Sequence, residues 1–150
     1  MTERIDWQWT PWAGLDRDAL YALARLRQDV FIVEQHCAYA DLDGRDPGAH
    51  HLLGWNQSGL IAYLRAFGPG ADGSDAVLGR VIVAPSARHL GLGHTLMEKG
   101  RHHLDTTYGF GPIRVGAQAH LQRFYESLGY SVCGPGYDED GIPHLPMRRP

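Results

Sequence analysis

The chain has only two cysteines among its 150 residues, Cys37 and Cys133, far apart in sequence. It has no CxxC and no HExxH, and the adjacent His102 and His103 cannot share one helix face, so no zinc signature is present. Asp41-Leu42-Asp43-Gly44-Arg45-Asp46 fails as a calcium loop, because its glycine is out of register and Leu52 stands where the twelfth-position glutamate belongs. No apolar run approaches a bilayer span, and Met1 to Asp6 is charged where an export signal would be apolar. The expectation is a cytoplasmic protein, without membrane association, whose two cysteines are reduced thiols. A basic surplus is also missing. Fourteen Lys and Arg against seventeen Asp and Glu give a net charge of −3, where a nucleic-acid binder would carry a basic stripe. No GK[ST] and no third glycine follow Gly91-Leu92-Gly93, which argues against an ATPase and against a dinucleotide-binding fold.

What remains is an ordinary globular composition, 43% hydrophobic and 21% charged, at a length that suits one domain over residues 1–150. Period-two alternation marks a strand at 5–9, and one-sided apolar spacing marks a helix over 15–28 with Asp16 as its N-cap. Residues 36–49, rich in Asp and Gly, read as a long loop of the kind that often carries function. Strands at 51–55 and 60–67 flank the turn Asn56-Gln57-Ser58-Gly59. A β-branched strand follows at 76–83, then a helix from His94, a strand at 113–118, a short helix ending at Gly129, and two final strands.

Between the 76–83 strand and the next helix stands Arg88-His89-Leu90-Gly91-Leu92-Gly93. A basic glycine loop opening a helix presents free backbone N–H groups and the positive end of the helix dipole, which suits a phosphate. Downstream, Tyr125-Glu126-Ser127-Leu128-Gly129-Tyr130 closes the short helix after the 113–118 strand.

The pair resembles two motifs of the GCN5-related N-acetyltransferase (GNAT) superfamily: a [QR]xxGx[GA] loop after the fourth strand and a YxxxG[FY] helix end after the fifth. Leu26-Arg27-Gln28-Asp29-Val30-Phe31-Ile32-Val33-Glu34-Gln35 looks like the RxxVFVVEQ stretch of the ElaA-like branch. Tyr39-Ala40-Asp41-Leu42-Asp43-Gly44, His51-Leu52-Leu53-Gly54-Trp55, Ala117-Gln118-Ala119-His120-Leu121 and Glu139-Asp140-Gly141-Ile142-Pro143-His144 look like that branch too, in the same order. The resemblance implies an α/β (α+β) GNAT acyl-CoA N-acyltransferase fold. Its mixed, mostly antiparallel central sheet is splayed between strands 4 and 5 and flanked by helices.

It further implies an N-acetyltransferase that moves an acetyl group from acetyl-CoA (coenzyme A) to a primary amine, on a small molecule or a peptide, by direct attack in a ternary complex. The coenzyme's pyrophosphate would rest on Arg88, Leu90, Gly91, Leu92, Gly93, His94 and Thr95. Its pantetheine arm would follow the backbone of Ile82 and Val83, faced by Gln118, with the Val83 N–H meeting the oxyanion. Tyr125 would serve the leaving thiolate. For the base, Glu34 at the end of its apolar run and His120 near the splay are the candidates, ahead of His144, His51 and Glu139. Asp41, Asp43, Asp138, Glu139 and Asp140 either rim the acceptor mouth or are solvated loop carboxylates. Exposed final strands pair in many members, so the resemblance implies a homodimer. The presumed fourth strand holds no acidic residue, its only charge being Arg80. That keeps an alternative open: a non-catalytic acyl-CoA-binding or sensing module that acts through a protein partner.

Overall fold

Asp16 Oδ1 accepts a hydrogen bond from the Ala19 N–H at 2.7 Å, the cap that starts helix α1 (Arg17–Arg27). In this computed structural model, which describes residues 4–150, α1 passes without a break into π-helical turns over Gln28–Glu34. The remaining elements are β1 (Asp6–Pro11), β2 (His50–Asn56), β3 (Gly59–Phe67), β4 (Ala76–Val83), α2 (Leu92–Tyr108), β5 (Ile113–Gln118), α3 (Gln122–Ser127), β6 (Ser131–Val132), β7 (Tyr137–Glu139) and β8 (Ile142–Arg149). One sheet runs in the order β1-β2-β3-β4-β5-β8-β6, with β7 also paired to β8.

All pairings are antiparallel except β4 with β5, and this one exception shapes the molecule. The parallel pair meets only at Ala76 with Ile113 and Val77 with Arg114. Beyond Val77 the strands diverge, while β5 stays paired along its other edge from Ile113 with Arg149 to Gln118 with His144. The splay therefore leaves the β4 backbone from Leu78 to Val83 without a strand partner on that side, among the described residues. On its other side β4 carries a bulge. Tyr63 pairs with Ile82 and Arg65 with Gly79, so Arg80 and Val81 together oppose Leu64. Arg80 takes the extra residue's strain, with φ at +52°.

Leu52, Leu64, Leu78, Ile82, Leu96, Met97, Ile113 and Met147 are almost fully buried between the sheet and the helices. Each such side chain contributes roughly 1.5–3 kcal/mol by leaving water. Arg149 grips both carboxylate oxygens of Asp105 at 2.9 Å, which ties α2 to β8. Among the described residues no helix is long and apolar enough to cross a membrane.

The expected element order holds with two differences. A third strand, β7, joins the two expected after α3, formed by a hairpin whose turn residues Asp140 and Gly141 both have positive φ, 54° and 87°. That is the geometry an Asp-Gly hairpin favours. A 3-10 helix of six residues, Pro85–Leu90, fills the connection from β4, and α2 starts at Leu92 rather than at His94.

Candidate active site in the splayed sheet

The Ala84 N–H donates to Ile61 O at 2.8 Å, which fixes the direction of the backbone at the end of β4. Alternation along the extended chain then turns the N–H and C=O of Val83 toward the splay, and those of Ile82 toward β3. Val83 O accepts from Arg88 Nε at 3.2 Å. Of the two residues read as a coenzyme-binding edge, Val83 presents its backbone to the cleft. Ile82, 2% exposed, is core on its side chain and sheet on its backbone.

Gly91 stands at the head of α2 with φ at +68°, a conformation that costs a glycine little and other residues about 1–2 kcal/mol. The first intrahelical bond of α2 is accepted by Gly91 O, from Thr95 N–H at 3.5 Å. The amides of Leu92, Gly93 and His94 precede it and have no acceptor within the helix. Leu92 is buried and anchors this end, while Leu90 and His94 lie on the surface. A Cβ on Gly93 would come 3.5 Å from the Phe124 ring, so α3 packs close against the loop. Arg88 does not extend freely into solvent. Its Nη2 lies 2.8 Å from Glu34 Oε2, in a half-exposed pair.

The YxxxGY segment is a Schellman motif. Tyr130 N–H donates to Tyr125 O, and Gly129 N–H to Glu126 O, each at 3.1 Å, with Gly129 φ at +94°. The Tyr130 ring closes against Tyr125 edge-on at 6.3 Å, and Phe124 meets Tyr125 likewise at 5.1 Å. This cap holds Tyr125 in the cleft wall, 7% exposed. Its hydroxyl has no hydrogen-bond partner among the described residues. Burial pushes the phenol up to about 12, so it carries its proton at neutral pH.

A cavity of about 580 Å³ occupies the splay and brings Val83, Arg88, Glu34, Gln118, His120 and Tyr125 to one space. Residues 90–95 stand outside its lining, at the end where β4 leads into α2. Gln118 Nε2 donates to Gln35 Oε1 at 3.3 Å, joining β5 to the segment after α1. His120 lines the cavity but is exposed and makes no hydrogen bond among the described residues. Glu139 and His144 line it as well. His51 does not: it is buried elsewhere, between Tyr63 Oη at 2.6 Å and Asp46 O at 3.0 Å.

The acidic loop differs from expectation. Asp41 and Asp43 neither rim an acceptor mouth nor sit in solvent as free carboxylates. Arg27, fully buried, reaches Asp41 at 2.8 Å and Asp46 at 2.6 Å. Arg65 reaches Asp43 at 2.7 Å and Asp46 at 3.0 Å, and Arg80 from the bulge reaches Asp41 at 2.9 Å. Three arginines and three aspartates thus compensate one another and pin the loop to α1, β3 and β4. Arg65 hydrogen bonds hold Asp43 well below the usual carboxylate range. For Asp46, burial pushes upward, but the bonds from Arg27 and Arg65 outweigh it and the net direction is down.

Cys37 is buried and its Sγ donates to Asp140 O at 3.0 Å. Burial, with the carboxylates of Asp140, Asp138 and Glu139, pushes this thiol upward, away from the reactive thiolate. Both cysteines are free.

With this geometry in view, known proteins share the pattern. The sequence profile of the Acetyltransferase (GNAT) domain matches residues 27–149. Protein ElaA of Escherichia coli is 42% identical over 147 residues, 97% of this chain and 96% of that protein. The crystal structure of Escherichia coli ElaA superposes with a TM-score of 0.91 at 41% identity, covering 98% of this chain and all of that one. An acyl-CoA N-acyltransferase from Pseudomonas aeruginosa gives the same TM-score at 41% identity, over 97% of this chain and 99% of the other.

Proposed function

The chain belongs to the GNAT acetyltransferase family, on its ElaA-like branch, and from that premise we propose that it moves the acetyl group of acetyl-CoA to a primary amine by direct attack in a ternary complex. The observation that carries this reading is the splay itself. One cleft is lined by the unpaired edge of β4 and by a protonated, unpartnered Tyr125 hydroxyl, and β4 leads from it to a helix head with free amides. The residues suit the donor. Free amides of Leu92, Gly93 and His94 suit a pyrophosphate, the open backbone of Val83 suits the amide-bearing pantetheine arm, and Gly91 puts no Cβ at the helix head.

Val83's amide is the donor in position for an oxyanion at the thioester carbonyl. Tyr125 then acts on the leaving sulfur. A phenol near 12 does not hand its proton downhill to a thiolate near about 8.5, so its part is to donate a hydrogen bond to the sulfur as negative charge develops. Direct transfer fits Cys37, whose buried thiol is poorly suited to form an acetyl-enzyme.

The test is isothermal titration of acetyl-CoA and desulfo-CoA into wild type and Gly91→Trp. Binding in wild type that the variant loses is the expected result. Absence of binding in wild type removes the coenzyme site, and with it the reading. Binding without acetyl transfer to any of a broad set of amines would favour the acyl-CoA-sensing module instead.

A further inference from the structure

We infer that His144 is the base that takes the acceptor's proton and that Glu139 holds the incoming cation beside it, an inference that rests on the acetyltransferase reading above. His144 lies on β8 directly opposite Gln118 of β5, and its side chain, 11% exposed, lines the same cavity as Tyr125. Nδ1 is 2.8 Å from Ile142 O. A carbonyl oxygen can only accept, so Nδ1 carries the hydrogen and the neutral ring has its lone pair on Nε2. That nitrogen is 3.5 Å from Glu139 Oε2, too far for a hydrogen bond. A lone pair and a carboxylate oxygen this close, on one wall of the cavity, can be bridged by a single cation lying against both.

Two contacts hold the ring in this attitude. It stacks on Tyr137 with centroids 5.6 Å apart and planes 23° from parallel. Tyr137 in turn sits over Gly116 of β5, where any Cβ would come within 2.7 Å of its hydroxyl. The other candidates are less well placed. Glu34 is committed to Arg88, His120 is exposed and unheld, and both ring nitrogens of His51 are engaged away from the cavity.

The chemistry balances. An ammonium bridges Glu139 Oε2 and His144 Nε2 from the cavity side and gives one proton to Nε2, leaving the ring an imidazolium paired with Glu139. The freed amine nitrogen forms the C–N bond to the acetyl carbon. The C–S bond breaks, and the remaining excess proton on nitrogen passes to the departing sulfur, which leaves as thiol. His144 then releases its proton to solvent, so the sum is ammonium plus thioester to amide, thiol and one proton. The titratable groups around the ring include Tyr137, Asp138 and Glu139 on β7, Asp140 in the turn, Cys37 bonded to that turn, and His120 after β5.

Two nucleophiles separate this role from a structural one. Propylamine is protonated at neutral pH, as a lysine is, and needs a base, whereas hydroxylamine is already unprotonated there. With acetyl-CoA as donor, His144→Gln is expected to lose propylamine turnover by about 100-fold. Hydroxylamine turnover and acetyl-CoA affinity stay near wild type. Glu139→Gln is expected to raise KM for propylamine while leaving KM for hydroxylamine near wild type, with Glu139→Asp restoring part of the loss. Equal losses on both nucleophiles in His144→Gln would overturn the role. Should that variant not fold, an unchanged propylamine KM in Glu139→Gln overturns it alone. A wild type that acetylates neither nucleophile overturns the acetyltransferase reading itself.

Discussion

Arg88 Nη2 and Glu34 Oε2 lie 2.8 Å apart, and this one pair joins the loop before α2 to the segment that leaves α1. The same guanidinium holds Val83 O through Nε. Arg88 therefore sets where the end of β4 and the helix head stand relative to each other, besides the charge that the proposed function assigns to a phosphate.

Arg88→Ala is expected to weaken acetyl-CoA binding by roughly fivefold, the worth of about 1 kcal/mol at a half-exposed ionic contact. Glu34→Gln frees the arginine without removing it, so its effect on affinity should be smaller. Titration calorimetry at two salt concentrations checks both. A larger loss in Glu34→Gln than in Arg88→Ala would contradict this arrangement.

Gly129 and Tyr125 offer a pair of variants that act at different levels. Tyr125→Phe removes a hydroxyl with no partner among the described residues, so stability and acetyl-CoA affinity should hold while turnover drops by about 100-fold. Gly129→Ala places a Cβ in a left-handed residue and should cost about 1–2 kcal/mol. It should reduce turnover as well, by shifting the tyrosine it caps. Urea unfolding alongside steady-state rates separates the two signatures.

The arginine–aspartate network governs acid stability. Arg27→Met would leave Asp41 and Asp46 buried with part of their counter-charge gone, an expected loss of about 3–5 kcal/mol. The pH dependence follows from the directions of shift. Burial depresses His51, so its stabilising share is complete above the unfolded value near 6.5 and is lost as pH falls below it. Burial and His50 depress His103 in the same sense. Asp43 and Asp46 are depressed too, and their share is complete above about 3.9 and is lost below it. Unfolding free energy measured against pH should therefore decline in two stages, and His51→Gln should shrink the first while sparing the second.

Cys37→Ala should retain turnover, and intact-mass spectra of the wild type with acetyl-CoA should show no acetyl adduct. An adduct on Cys37 would replace direct transfer with a two-step route.

The strands that frame the cleft were legible to the residue: 76–83 and 113–118 are β-branched or alternating runs bounded by glycine, proline or a motif, and they fold as read. The helix end at Gly129 was legible for the same local reason, since a left-handed cap is written in one residue. The ionic network was not. Its partners are separated by 14 to 39 residues, and an Asp-rich loop looks identical whether water or arginine surrounds it. The bulge at Arg80 was hidden because the extra residue lies inside an otherwise regular run. The β7–β8 hairpin could have been found, for Asp140-Gly141 is a hairpin signal, but three-residue β7 is too short to show alternation.

That hairpin has a consequence for how relatives diverge. Strand β7 pairs with β8 alone, and residues 137–141 are all exposed. Replacing Glu139 or Asp140 therefore removes little buried surface and breaks no other strand pairing, yet it remodels one wall of the cavity. On the proposed reading, the wall assigned to the acceptor can drift in sequence while the β4 edge assigned to the donor stays locked to the core. That wall can change at little thermodynamic cost.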